Sequence, residues 1–166
     1  MEQADIIYVS IQYRLNIFGY FYLNNSDAPG NQGMLDQSLA IKWIYDNIGY
    51  FGGDNNRITL FGESSGGASI GFHLLSSLST PYFNQAIMQS GTSLFNWAWV
   101  DRNGALKYNN DLLRYIGCTE NQVMECVRNF DANNLTDSFN NFYSSINLNP
   151  NLIFIPLYDG EFLQEE

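Results

Sequence analysis

The sequence predicts an α/β fold: a mostly parallel sheet with flanking helices, incomplete at both ends. Two observations carry this. Three short apolar runs, 5–13, 57–61 and 85–89, alternate with two longer segments of helical periodicity, 34–48 and 65–77. Strand–helix–strand units of this length connect parallel strands with a right-handed crossover and place helices on the sheet faces. The breaks fall where such units need them, at Gly49, at Gly52-Gly53 and at Thr80-Pro81.

Each element has its own signal. Residues 5–13 are apolar and β-branched, which predicts a buried strand. Arg14-Leu15-Asn16 leaves it and is followed by the aromatic patch Phe18, Tyr20, Phe21 and Tyr22. Residues 24–33 read as a loop with Pro29-Gly30 as turn chemistry. In 34–48, Leu35, Leu39, Trp43 (with Ile44) and Ile48 fall on one stripe, which predicts a helix with Trp43 in the core. The helix 65–77 is expected to bury Ile70 or Gly71, Leu74, Leu75 and Leu78. Past Gly91 the pattern changes to an aromatic loop at 93–99 and helices at 105–116, 120–130 and 131–143. An extended run at 152–157 and a turn at 158–160 close the chain. The expected organisation is one domain over 1–166, with a sheet-and-helix core at 1–91 and a helical excursion and return at 92–166.

Composition excludes several functions. The 166 residues are 45% hydrophobic, enough for a sizeable core, and carry a net charge of -10. Nucleic-acid phosphates want a basic footprint, so nucleic acid is not an expected partner. No run approaches the roughly 20 apolar residues of a membrane span. No leader is visible, and a chain that opens within a strand reads as a piece of something longer. Cys118 and Cys126 are too few to complete a metal site without other ligands nearby, and no metal or cofactor is expected. Their spacing leaves two readings, a small-loop disulfide or two buried thiols.

The chemistry concentrates in Gly62-Glu63-Ser64-Ser65-Gly66, a G-x-S-x-G pattern between a strand and a helix. In that context the pattern is a nucleophile elbow. A sharp strand-to-helix turn crowds the backbone, so small residues are needed at Gly62 and Gly66. The turn lifts the Ser64 hydroxyl clear of the sheet. It also aims the first free N–H groups of the helix at whatever Ser64 attacks.

Longer stretches resemble one family. Phe61-Gly62-Glu63-Ser64-Ser65-Gly66, residues 12–21 beginning Gln-Tyr-Arg, residues 30–37 reading Gly-Asn-Gln-Gly-Met-Leu-Asp-Gln, Phe51-Gly52-Gly53-Asp54, Met88-Gln89-Ser90-Gly91 and residues 156–162 are similar to type-B carboxylesterases and cholinesterases, an α/β-hydrolase group. The resemblance runs from about residue 5 to 165 and implies a serine esterase. It makes Ser64 the nucleophile and the Ser65 N–H an oxyanion-hole donor, with Ser where the family usually has Ala. Glu63 and Ser90 become supporting residues, and Trp97, Leu152 and Phe154 pocket residues. Pro150 and Leu152 stand where acetylcholinesterases tend to place phenylalanines, which implies a wider pocket or a general carboxylesterase. The resemblance also favours a Cys118–Cys126 disulfide, a secreted or extracellular location, and glycans at Asn24 and Asn134. The implied partner is a small-molecule ester; the oligomeric state is not implied.

The expected triad is incomplete in this chain. The single histidine is His73, nine residues after Ser64. On a helix that separation is about two and a half turns, or about 13 Å, on the opposite side. His73 is therefore not the expected base. The sequence predicts a nucleophile-bearing part of an esterase that is inactive alone. The competing expectation is a cholinesterase-like adhesion domain of neuroligin type, against which the elbow serine speaks.

Overall fold

The computed structural model describes residues 5–119, 122–146 and 153–164. Its centre is a parallel strand pair joined by a helix. Strands β3 (Thr59–Glu63) and β4 (Gln85–Gln89) align from Thr59 opposite Gln85 to Glu63 opposite Gln89. Helix α3 (Ser65–Leu75) makes the crossover between them. It can lie close because its inner face is nearly bare: a side chain on Gly67 would meet the Gly91 carbonyl at 2.9 Å and the Gln89 carbonyl at 3.2 Å. The helix buries Ala68, Ile70, Gly71, Phe72 and His73, while Leu74, Leu75 and Leu78 are exposed. The expectation for the three leucines is corrected, while that for Ile70 and Gly71 holds: the packed face carries the small residues with Ile70, Phe72 and His73.

Ahead of β3 lie helix α1 (Asn16–Tyr20), a hairpin of β1 (Tyr22–Asn25) and β2 (Ala28–Pro29), and helix α2 (Gln32–Asn47). The hairpin falls where the sequence predicts a patch and a loop. Gly19 and Gly33 both press on the Arg14 carbonyl, where any Cβ would collide. The Arg14 guanidinium grips Asp36 with two bonds of 2.7 Å and holds its carboxyl below the usual range.

Helix α2 turns a different face inward from the one its apolar spacing predicts. Met34, Gln37, Ser38 and Ile41 are buried, but Leu39 is 69% and Trp43 55% exposed. Trp43 is not core; its ring lies 6.3 Å from that of Phe51. Two polar residues, Gln37 and Ser38, are buried through hydrogen bonds to His73 and the Leu78 carbonyl. A hydrogen bond lets a polar residue occupy a core position that hydrophobicity alone would assign elsewhere, although Gln37 Nε2 is buried without a partner among the described residues.

Residues 5–13 are not a buried strand: they join no ladder, and Ile6 is 66% exposed. A strand exists only with a partner for its N–H and C=O groups. Among the described residues β3 pairs with β4 alone. Contact with β3 is made by side chains instead, the Tyr8 and Phe61 rings lying 5.9 Å apart.

The second part is helical. Helices α4 (Arg102–Tyr115) and α6 (Ala132–Ser145) start on aspartates, Asp101 accepting from the Gly104 N–H at 2.6 Å and Asp131 from that of Asn133 at 2.9 Å. The short α5 (Val123–Arg128) lies between them. Leu112, Leu135, Phe142, Phe154 and Phe162 share one buried cluster with Met34, Ala68 and Phe72, so both parts of the chain share a core. The return segment is pinned to the start of α2. Buried Asn31, in the left-handed conformation at φ 59°, donates to the Leu157 carbonyl at 2.6 Å and accepts its N–H at 3.0 Å. No helix among the described residues is long and apolar enough to cross a membrane.

Candidate nucleophile site

The strand-to-helix turn is strained at one residue. Ser64 sits at φ 53°, ψ -117°, outside the ordinary regions for an L-residue, and is exposed. Such a conformation costs on the order of 1–3 kcal/mol and persists only where the surroundings fix it. Four contacts do so. The Ser64 N–H donates to the Gln89 carbonyl at 2.9 Å, and the Ser64 carbonyl accepts from Ala68 at 3.0 Å to open α3. A Cβ on Gly62 would lie 2.7 Å from the Gly66 carbonyl carbon. A Cβ on Gly91 would fall inside the Ser64 carbonyl group. Gly62 is crowded as expected, whereas a Cβ on Gly66 would meet open space, so crowding does not require a glycine there; Gly91 is a crowded position that the motif does not contain.

The ends of both strands converge here. Glu63 ends β3 beside Ser64, and Ser90 follows β4. Ser90 repeats the positive φ of Ser64, at 53°, and Gly91 seats that turn against Ser64. Glu63, Ser64, Ser65 and Ser90 are all exposed. Ser65 is the first residue of α3, where helix N–H groups have no partner within the helix. The turn thus presents a hydroxyl, unpaired N–H donors and a carboxylate at the carboxyl ends of two parallel strands.

Phe154 is buried, its ring 6.3 Å from that of Phe21 and 5.2 Å from that of Phe139. Trp97 is half-buried and stacks on Phe95 at 5.7 Å. Leu152, with Pro150, lies outside the described residues. Cys118 and Cys126 form a disulfide. Asn24 and Asn134 are exposed, the first accepting from the Tyr22 hydroxyl at 2.9 Å. Among the described residues no cluster of His, Cys, Asp and Glu could hold a metal.

His73 is 2% exposed, on the buried face of α3. Its Nδ1 lies 2.8 Å from the Ser79 hydroxyl and its Nε2 2.9 Å from Gln37 Oε1. Ser79 bonds onward to the Ser38 hydroxyl at 3.0 Å, which donates to the Leu78 carbonyl at 3.0 Å. Burial pulls the His73 pKa from 6.5 to about 4, so the ring is neutral at pH 7. This network ties α3 to α2 and to the turn after α3. The sequence offers no signal for it: Gln37 closes a family-like stretch that says nothing of a histidine partner, and Ser38 and Ser79 belong to no motif.

Comparison with known proteins places this turn in a family. The carboxylesterase family model matches residues 1–166. Acetylcholinesterase 1 of Caenorhabditis briggsae is 40% identical over 98% of this chain and 27% of its own length. Acetylcholinesterase of Danio rerio is 39% identical over 96% of this chain and 26% of its own length. Cholinesterase 1 of Branchiostoma lanceolatum is 37% identical over 99% of this chain and 48% of its own length. The chain thus spans about a quarter of the length of the acetylcholinesterases that it matches. With the elbow geometry and a match along its whole length, the chain belongs to the carboxylesterase family.

Proposed function

We propose that these residues carry the nucleophile of a serine hydrolase acting on carboxylic or choline esters, within the α/β-hydrolase fold that the family implies. The observation that carries the proposal is Ser64: an exposed hydroxyl held at φ 53° between a parallel strand and the start of a helix. In this reading Ser64 attacks the ester carbonyl, the alcohol leaves and Ser64 is acylated; water then releases the acid. The Ser65 N–H receives the negative charge on the carbonyl oxygen. Glu63 shapes the field around the site, Ser90 supports the triad acid, and Trp97, Leu152 and Phe154 shape the pocket. The names of the relatives support choline esters, and the presence of Ser64 speaks against an adhesion-only role.

The proposed state of the 166 residues by themselves is inactive. The one histidine is engaged at both ring nitrogens and buried. A serine without its base loses on the order of a million-fold in rate in comparable triads. The Cys118–Cys126 disulfide supports an oxidising compartment, and we place the protein outside the cell. A fluorophosphonate probe with peptide mapping tests this reading. The 166-residue chain is expected to label slowly, and rapid stoichiometric labelling of Ser64 overturns the inactive state. In a polypeptide that also supplies a histidine and acid, hydrolysis of p-nitrophenyl acetate is expected and Ser64→Ala should abolish it. Hydrolysis that survives Ser64→Ala overturns the assignment of the nucleophile.

A further inference from the structure

The sequence holds a single Asn-Gly pair, Asn103-Gly104. It lies in the first turn of α4, with Asn103 exposed. At such a pair a chain can attack itself, because glycine has no Cβ to hinder the approach of its own nitrogen. The Gly104 nitrogen gives up its proton and bonds to the side-chain carbonyl carbon of Asn103, and ammonia leaves. Water then opens the five-membered imide so formed. Opening in one direction gives aspartate. Opening in the other gives isoaspartate, in which the main chain runs through the former side chain. We propose that Asn103 is a site of spontaneous deamidation, and that the Asp101 cap of α4 sets its rate.

The attacking atom is held by the cap. The Gly104 N–H donates to Asp101 Oδ1 at 2.6 Å. It belongs to the first turn, whose N–H groups have no partner inside the helix, so without Asp101 nothing in α4 restrains it. Ring closure also needs this nitrogen to swing towards the Asn103 side chain, and a helical ψ of about −42° holds it back. The reaction therefore waits for the first turn to open, and helix ends are among the first parts of a fold to do so. The same cap keeps the labile pair in place. A Cβ on Gly104 would meet Val100 Cγ2 at 2.9 Å and Asp101 Oδ1 at 3.2 Å, which excludes the bulkier residues that would slow the attack. The two products differ in consequence. Aspartate adds a negative charge in the first turn, where the helix dipole favours it. Isoaspartate lengthens the main chain by one methylene and breaks the helical spacing there. Ala105 is 2% exposed and packed with Tyr22 and Leu157, so that break would reach the contact between α4 and β1. None of this depends on the esterase reading.

Ageing the 166-residue chain at mildly alkaline pH, with peptide mapping by mass spectrometry, tests the proposal. The gain in mass at Asn103 is followed in buffer and in urea, for the wild type, Asp101→Ala and Asp101→Ser. The wild type is expected to convert at least tenfold faster in urea than in buffer. Asp101→Ala should convert at least threefold faster than the wild type in buffer. Serine keeps a capping oxygen, so Asp101→Ser should stay within twofold of the wild type. A circular dichroism spectrum unchanged in Asp101→Ala assigns its faster rate to the first turn; if the spectrum collapses, the serine variant decides. Equal rates for the wild type in buffer and urea overturn the proposal, because the fold then gates nothing. So does an Asp101→Ala chain no faster than the wild type, or an Asp101→Ser chain outside the twofold limit. Conversion of Asn25, in the Asn25-Ser26 pair, ahead of Asn103 overturns the assignment of the site.

Discussion

Two serines in this chain stand in opposite circumstances. Ser64 has the geometry of a nucleophile and no histidine beside it: it is exposed, strained at φ 53°, and placed at the N-terminus of α3. Ser79 has the histidine and none of the geometry: its hydroxyl is 2.8 Å from His73 Nδ1, and an amide oxygen lies 2.9 Å from Nε2. Ser79 is fully buried and carries no positive φ. A hydrogen-bonded Ser–His pair is therefore not by itself a reactive site. Reactivity needs access for an ester, donors for the developing oxyanion, and a base whose pKa suits the working pH. Ser64 meets the first two and Ser79 meets none, because burial that holds its histidine neutral also shuts out substrate.

The contrast can be broken from either side. The largest effect is expected at the elbow, from Gly91→Ala. The new methyl would enter the Ser64 carbonyl, a backbone group that cannot swing aside. A loss of about 4 kcal/mol is expected in urea unfolding, at the high end for a single substitution. A loss under about 1 kcal/mol would show that the elbow yields, and that the Ser64 strain is not enforced from β4.

Acid should act on the other serine's cluster. The folded pKa of His73 lies below its ordinary value, about 4 against 6.5, so proton uptake favours the unfolded chain. The stability from keeping the ring neutral is fully present above about pH 6.5 and is lost as pH falls towards 4. The loss amounts to about 3 kcal/mol. Urea midpoints of the chain and of His73→Phe, compared across that window, measure it. An equal pH slope in the two proteins would place the acid sensitivity elsewhere.

Ser79→Ala should cost about 1–2 kcal/mol, since it leaves His73 Nδ1 without its partner in the core. Thermal unfolding reads the loss, and an unchanged midpoint would make the Ser79 bonds dispensable. The smallest effect has the opposite sign. Ser64→Gly relieves the unfavourable φ and should stabilise the chain by about 1 kcal/mol. If it destabilises instead, the Ser64 side chain is supporting the turn rather than being held in it.

The elbow is legible in the sequence because steric demand writes itself into residue type. A turn that tight leaves no room for a side chain at Gly62, so a glycine marks it. The disulfide pairing and the β4 limits were likewise readable, the first from resemblance and the second from a short apolar run before Ser90-Gly91. The inward face of α2 was not. Its helical period was visible, but the choice between the stripe of Leu39 and Trp43 and that of Gln37 and Ser38 depends on what lies opposite. Residues 5–13 fail for the same reason: their β propensity is plain, but a ladder requires a partner, and the described chain offers them none.

By itself, the sequence determined whatever is local or steric: the elbow, the helical periods, the turn chemistry, and the family those motifs mark. Tertiary structure alone decided which face of each helix is buried, that Gly91 closes on the Ser64 carbonyl, and that His73 is locked between Gln37 and Ser79. Each of these depends on a neighbour distant in the chain, and burial and hydrogen-bond satisfaction are properties of the assembled pair rather than of either residue.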